Sequence, residues 1–205
     1  MTTLEMPLFP LRTVLFPGGS LPLRIFEPRY LDMIKQCMRE DTGFGVVLIR
    51  EGLEARTSRD AEQPHTFSVG TEARIVDFSQ LSDGMLGIVG RGASKFRVLD
   101  SWEQTDHLLV GRVQRLPDEP PGELTEAHEP LVDILRELVK HPMIEKLGLE
   151  VSFDDARSVS WRLSELLPIE PEIKQSLLQM NLPRERLAEL NRLVHKLRGD
   201  QTNTA

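Results

Sequence analysis

Residues 5–31, Glu5-Met-Pro-Leu-Phe-Pro-Leu-Arg-Thr-Val-Leu-Phe-Pro-Gly-Gly-Ser-Leu-Pro-Leu-Arg-Ile-Phe-Glu-Pro-Arg-Tyr-Leu31, decide how this chain folds. Short apolar pieces are separated by Pro7, Pro10, Pro17 and Pro22, each of which removes a backbone donor. The pattern predicts short strands kinked at prolines rather than one long central strand, with Gly18-Gly19 as a turn that tolerates positive φ. Glu27-Pro28 predicts a helix start, because proline at the first helical position gives up an N–H that has no intrahelical acceptor. Tyr30, Leu31, Met33, Ile34, Cys37 and Met38 then recur at spacings of three and four, so one face of that helix must pack on the strands.

Asp41-Thr-Gly43 predicts the helix end, and Phe44-Gly-Val-Val-Leu-Ile49 predicts a buried strand. Glu54 to Pro64 loses apolar periodicity and is expected to be a mobile polar loop. A strand resumes at Phe67 and Val69. In Thr71 to Phe78, Ala73 and Ile75 alternate against Glu72 and Arg74, until the Ile75-Val76 pair breaks the alternation and predicts a bulge. Ser82-Asp83-Gly84 is a hairpin turn signal. Met85 to Val89 continues as strand, Gly90-Arg-Gly92 turns or bulges, and Leu108 to Leu116 supplies a last strand. Six or more short strands with one inserted helix predict a compact β barrel or sandwich, with glycines 84, 87, 90 and 92 at its bends.

At Leu116-Pro-Asp-Glu-Pro-Pro-Gly122 prolines and acids cluster, which predicts a domain boundary. Beyond it the pattern is helical. Leu131, Ile134, Leu135, Leu138 and Val139 form one stripe ended by His141-Pro142, and Ser152-Phe-Asp-Asp155 predicts a cap before a helix stopped at Pro168. Pro171 opens a short helix. Asn181-Leu-Pro183 starts the last one, with Gly199 as its expected stop and a disordered tail from Asp200.

The chain has 205 residues, 40% of them hydrophobic, and a net charge of −7 spread along its length. Such bulk charge disfavours nucleic acid as a partner. No apolar run approaches the roughly 20 residues that span a bilayer, the start lacks a leader pattern, and Cys37 is the sole cysteine. No membrane partner and a cytoplasmic location are therefore expected, with Cys37 as a core residue.

Chemistry is sparse. The five histidines have no metal-ligand spacing, and Gly87-Ile-Val-Gly-Arg-Gly-Ala-Ser-Lys95 lacks the order of a phosphate loop. Ser94 and Lys95, adjacent on a strand, point to opposite faces, so they read as a solvated edge and not as a nucleophile and its base. Asp118-Glu119 reads as a pair of hydrated linker acids, and Asp154-Asp155 as helix-dipole partners. Arg91, Lys95, Arg97 and Arg112, with Arg115, form the one candidate basic strip, which would serve an RNA ligand.

Pro7-Leu-Phe-Pro-Leu11, Phe16-Pro17, Leu21-Pro-Leu23, Ile25-Phe-Glu-Pro-Arg-Tyr30, Val69-Gly-Thr71-Glu-Ala73, the Asp83-Gly84 turn and Arg91-Gly-x-x-x-Phe-Arg97 together resemble the N-terminal substrate-binding domain of the ATP-dependent Lon protease. Trp161-Arg-Leu-Ser-Glu-Leu-Leu-Pro168, Lys174-Gln-x-Leu-Leu178 and Arg186-Leu187 resemble the helical part of its stand-alone members, so the resemblance extends over nearly the whole chain. It implies an α+β fold: a PUA-like β pseudobarrel with an inserted helix over residues 1–118, then an α-helical bundle over residues 123–199 and a disordered tail at 200–205.

In the full protease this domain selects and holds unfolded protein and supports hexamer assembly. The resemblance therefore implies a non-enzymatic module that binds unfolded polypeptide or a protein partner, an ATP-dependent protease among them. These residues contain no phosphate-binding motif, ATPase module or Ser–Lys peptidase domain, so neither activity nor cofactor is expected. Cereblon-type proteins share a related domain but add a zinc site with Cys ligands, which Cys37 alone cannot supply. The expected partner surface is the helix start at Glu27, Pro28 and Arg29, beside the strands of 67–78 and 85–98, because helix starts and strand edges offer unmet backbone donors. RNA binding through a PUA-like surface at Arg91, Lys95, Arg97 and Arg112 is the alternative.

Overall fold

The structure, a computed structural model, describes residues 3–54 and 63–202, with backbone alone from 198 to 202. The chain divides into two compact units, Met1–Asp118 and Glu119–Ala205.

The first unit contains strands β1 (Thr3–Leu11), β2 (Ser20–Ile25), β3 (Phe44–Glu51), β4 (His65–Thr66), β5 (Val69–Gln80), β6 (Leu86–Glu103) and β7 (Leu109–Arg115), with helix α1 (Pro28–Glu40) after β2. They form one sheet in the order β1-β7-β6-β5-β3-β4, with β2 on β6. All pairings are antiparallel except β1 with β3, which returns the ladder to its first strand.

The prolines do not break β1, contrary to expectation, and it runs for nine residues. Thr3–Leu8 pair with β7, Leu8–Leu11 pair with β3, and the change of neighbour falls at Leu8. Pro7 and Pro10 thus each lie where β1 has one paired neighbour, and a missing N–H is tolerated on an unpaired side. The strands after the turn are likewise not short, since β6 is a single strand of 18 residues. Gly84 takes a positive φ of 83° at the hairpin turn. Gly92 lies at a register shift of β6 against β5, as the expected bulge required, and a Cβ there would lie 2.1 Å from the Phe16 carbonyl oxygen, so the close approach of two backbones also requires glycine.

Helix α1 begins at Pro28 after Glu27 and ends at Asp41, whose φ of 52° is left-handed. Its buried face of Tyr30, Met33, Ile34 and Cys37 packs with Phe9, Phe44 and Ile88. Burial stabilises each large side chain by roughly 1.5–3 kcal/mol, and the Phe9 ring stacks on Tyr30 at 3.9 Å between centroids. Cys37 Sγ donates to the Gly43 carbonyl at 3.6 Å, and burial pushes its thiol pKa up. The bulge predicted near Ile75-Val76 is a register shift between Ile75 and Asp77.

The second unit holds α2 (Glu129–Val139), a four-residue α3 (Pro142–Glu145), α4 (Ala156–Leu166), α5 (Pro171–Gln179) and α6 (Pro183–Thr202). Asp155 caps α4 by accepting from Arg157 N at 2.9 Å. His141 caps α3, accepting from Met143 N at 3.3 Å.

Two expectations fail here. Gly199 does not end α6, which stays helical to Thr202; a helical glycine costs only about 1 kcal/mol relative to alanine and stops a helix only by leaving helical φ. Residues 203–205 of the expected tail, and residues 55–62 of the expected loop, lie outside the described residues. Glu119 is not a hydrated linker acid. It is buried, and both its oxygens accept from Arg186, at 2.7 and 2.9 Å. Arg186 also donates to Leu177 O, Met180 O and Ser160 Oγ and lies 3.3 Å above the Trp161 ring. An ion sealed from water demands this many partners.

Candidate functional site

The β5–β6 hairpin carries an open strand edge. β5 pairs with β3 only through Thr71–Ala73, so from Arg74 to Gln80 one edge of β5 has no strand against it among the described residues. Unpaired edges are templates for another chain. On the far side of β6 lies β2, which aligns Phe78, Ile88 and Leu23 in one row across three strands. Ile88 enters the core and Leu23 packs against it, whereas Phe78 stays 59% exposed and Val76, at the bulge, 55%. Val76 is the extra, unpaired residue of the bulge, which accounts for its exposure.

A groove of about 560 Å³ runs beside this row, lined by Pro22, Leu23, Phe78, Leu81 and Ile88 among others. Its charges are already engaged. Arg24 pairs with Asp83, whose carboxylate also accepts from Met85 N at 3.1 Å, and Asp77 accepts from Phe78 N at 2.9 Å. The Met85 N–H, then Arg24, holds Asp83 below the ordinary carboxylate range against the opposing pull of desolvation.

The predicted corner is built differently. Arg29 turns inward: its Nε and Nη2 meet Glu27 Oε2 at 3.0 and 2.9 Å, its Nη1 donates to the His107 carbonyl at 2.9 Å, and its guanidinium lies 4.5 Å from the Tyr30 ring centre. Gln63 Nε2 reaches the same carbonyl at 3.0 Å. The β6–β7 turn, where His107 has a φ of 69°, is thereby tied to the start of α1. Pro28 is exposed, and the neighbouring Phe26 is 61% exposed.

The predicted basic strip is not continuous. Lys95, expected on a solvated edge, is 4% exposed, and the register shift near Gly92 puts it out of phase with Arg91. Arg91 is half-buried and donates to Gly18 O at 3.3 Å; Arg97 is exposed; Arg112 lies 3.6 Å from Asp100. Glu72, expected to face outward, is buried between Arg74 at 2.9 Å and Arg115 at 2.8 Å. The alternation that placed it outside holds in an isolated strand, but Arg74 on the same strand and Arg115 on β7 offset the cost of its burial, and the Arg115 contact leaves no local pattern.

The model of the ATP-dependent protease La (Lon) substrate-binding domain matches residues 5–196. The chain belongs to that family. Among solved structures, a Lon N-terminal domain protein from Xanthomonas campestris is 36% identical, with a TM-score of 0.75, over 91% of this chain and 96% of that one. The N-terminal domain of the Mycobacterium avium complex Lon protease, at 16% identity and a TM-score of 0.57 over 91% of this chain and 95% of that one, shares the fold. Lon protease 2 of Myxococcus xanthus is 32% identical over 59% of this chain, and the aligned part is 14% of that protease. The Lon-type domain here is a mostly antiparallel sheet with several helices. Among its described residues, no helix is long and apolar enough to cross a membrane.

Proposed function

We propose that this Lon-type domain recognises unfolded polypeptide by adding an extended segment to the open edge of β5. The observation that carries this is the coincidence, at Arg74–Gln80, of an unpaired strand edge with exposed Val76 and Phe78 and a largely apolar groove whose Arg24 is paired with Asp83. Backbone groups of the edge would supply affinity, and the groove would sort side chains at alternate positions. The closed β1-β7-β6-β5-β3 circuit supports a PUA-like pseudobarrel that holds this arm rigid, and the second unit supports a helical bundle beside it in sequence.

In this reading Arg29 and Glu27 hold the corner of the domain, and Phe26 and Pro28 are what a partner would touch there. The chain acts as a binding module without chemistry of its own, and delivery to an ATP-dependent protease is the role that its relatives suggest. RNA is disfavoured by the burial of Lys95 and the net charge of −7.

Calorimetry of the full chain with several permanently unfolded model proteins tests this. Binding in the micromolar range is expected, weakened by Phe78→Asp and absent for the same proteins when native. Silence across all unfolded clients would overturn it.

A further inference from the structure

Helix α2 carries more apolar surface than its own unit buries. Leu131, Val132 and Leu135 are in the core, but Ile134 and Leu138, expected to share that stripe, are only half-buried. Pro130, Ile134 and Leu138 follow at intervals of four, a row of about 12 Å along the helix. Ile144 of α3 stands opposite, and the space between is a groove of about 800 Å³. Met143, 65% exposed, extends the apolar surface.

The two charged side chains lining this groove are both acids, Asp133 and Glu137. Each pairs with a near neighbour in sequence, Asp133 with Arg136 at 2.9 Å and Glu137 with Lys140 at 2.6 Å, and every member of these pairs is at least 46% exposed. Exposed pairs of this kind contribute little and exchange readily for another cation. Among the described residues no strand edge borders the groove, so nothing there rewards an extended chain, whereas a row at spacing four between two helices is the ridge against which a third helix packs.

We infer that the α2–α3 groove docks an amphipathic helix of a protein partner, with its apolar face on Ile134, Leu138 and Ile144 and its flanking Lys or Arg side chains on Asp133 and Glu137. The site is independent of the β5 edge and of the polypeptide reading given to it. An apolar face fixes position, and the acidic rim selects the charge of the partner's flanks.

The test uses the full chain and three fluorescein-labelled peptides of about 18 residues, long enough for five helical turns. The first has Leu on one helical face flanked by Lys; the second replaces Lys by Glu; the third keeps the Lys composition but scatters the leucines around the helix. By fluorescence anisotropy the first should bind about tenfold or more tighter than either other. Leu138→Glu should weaken it by about tenfold, and Asp133→Lys with Glu137→Lys should transfer the preference to the Glu peptide. Those two positions are exposed, so the charge-reversed variant keeps the test decisive if Leu138→Glu misfolds. Equal binding of the scattered Lys peptide, or a preference unmoved by charge reversal, would overturn the assignment. So would a dimer, seen by sedimentation, that the Lys peptide cannot dissociate and Asp133→Lys with Glu137→Lys abolishes, since the occupant would then be a second copy.

Discussion

Arg186 meets Glu119 with both side chains sealed from solvent, 0% and 4% exposed, while Arg24 meets Asp83 at the tip of the β5–β6 hairpin with 63% and 35% exposed. The chemistry of the two pairs is the same and their consequences are opposite. In the helical unit the guanidinium has no water to return to, so every one of its partners is obligatory, and desolvation pulls its pKa down against the support of Glu119. At the hairpin tip water screens the pair, and the strands hold the arm with or without it. One region is fixed by its ions. The other carries an exposed pair that water screens.

The comparison breaks most visibly at Glu119. Glu119→Ala leaves Arg186 buried without its counter-ion, and a loss of about 3–5 kcal/mol is expected from urea unfolding of the full chain. Glu119→Gln retains an acceptor and should cost less. A loss under about 1 kcal/mol for Glu119→Ala would mean that the pair is as dispensable as a surface one.

Tyr30 sharpens the same contrast within the first unit. It is the chain's single tyrosine, and burial, with Arg29 opposing, pushes its pKa from 10.0 up to about 12. Below pH 10 both folded and unfolded phenols are neutral, and Tyr30 adds no pH dependence. Between pH 10 and 12 the unfolded phenol ionises first, so stability should fall by roughly 2–3 kcal/mol across that window. Absorbance titration at alkaline pH reads this one group directly. A midpoint near 10 in the folded protein would show that the stacked Phe9–Tyr30 pair is wetter than its burial indicates.

Much of the first unit was legible in the sequence because its signals are local. Pro28 after Glu27, the Asp83-Gly84 turn and the apolar spacing of α1 each act within a few residues, and each stands where the pattern placed it. The ions were not legible. Glu119 sits 67 residues from Arg186, and Glu72, though paired with nearby Arg74, is 43 from its second partner Arg115, so these distant pairings leave no periodic trace. The candidate site was half legible. Strands 67–78 and 85–98 were expected to offer an edge or groove, but Arg29 looked exposed because the His107 carbonyl that takes its Nη1 lies 78 residues away.

Phe78 gives a smaller effect and a cleaner separation. Being 59% exposed, it contributes little to folding, and Phe78→Asp should change the unfolding free energy measured in urea by no more than about 0.5 kcal/mol. The same change places a charge where an apolar client side chain would sit, and binding of unfolded clients should fall by about tenfold. If stability fell and binding did not, the arm would belong with the fixed region.

The smallest effect is expected at the tip itself. Asp83→Asn keeps an acceptor for Met85 N but gives up the charge that faces Arg24, and with both groups in water the urea midpoint should not move measurably at high salt. Asp83→Ala removes the acceptor as well, so amide exchange at Met85 should quicken while β6 stays protected. Because the folded carboxylate is held below its ordinary value of 3.8, whatever Asp83 contributes is present above that pH and fades as pH falls through the lower folded value. A contribution that disappeared between pH 7 and 5 would come from another group, and the tip would then share the tightly coupled character of the Glu119–Arg186 centre.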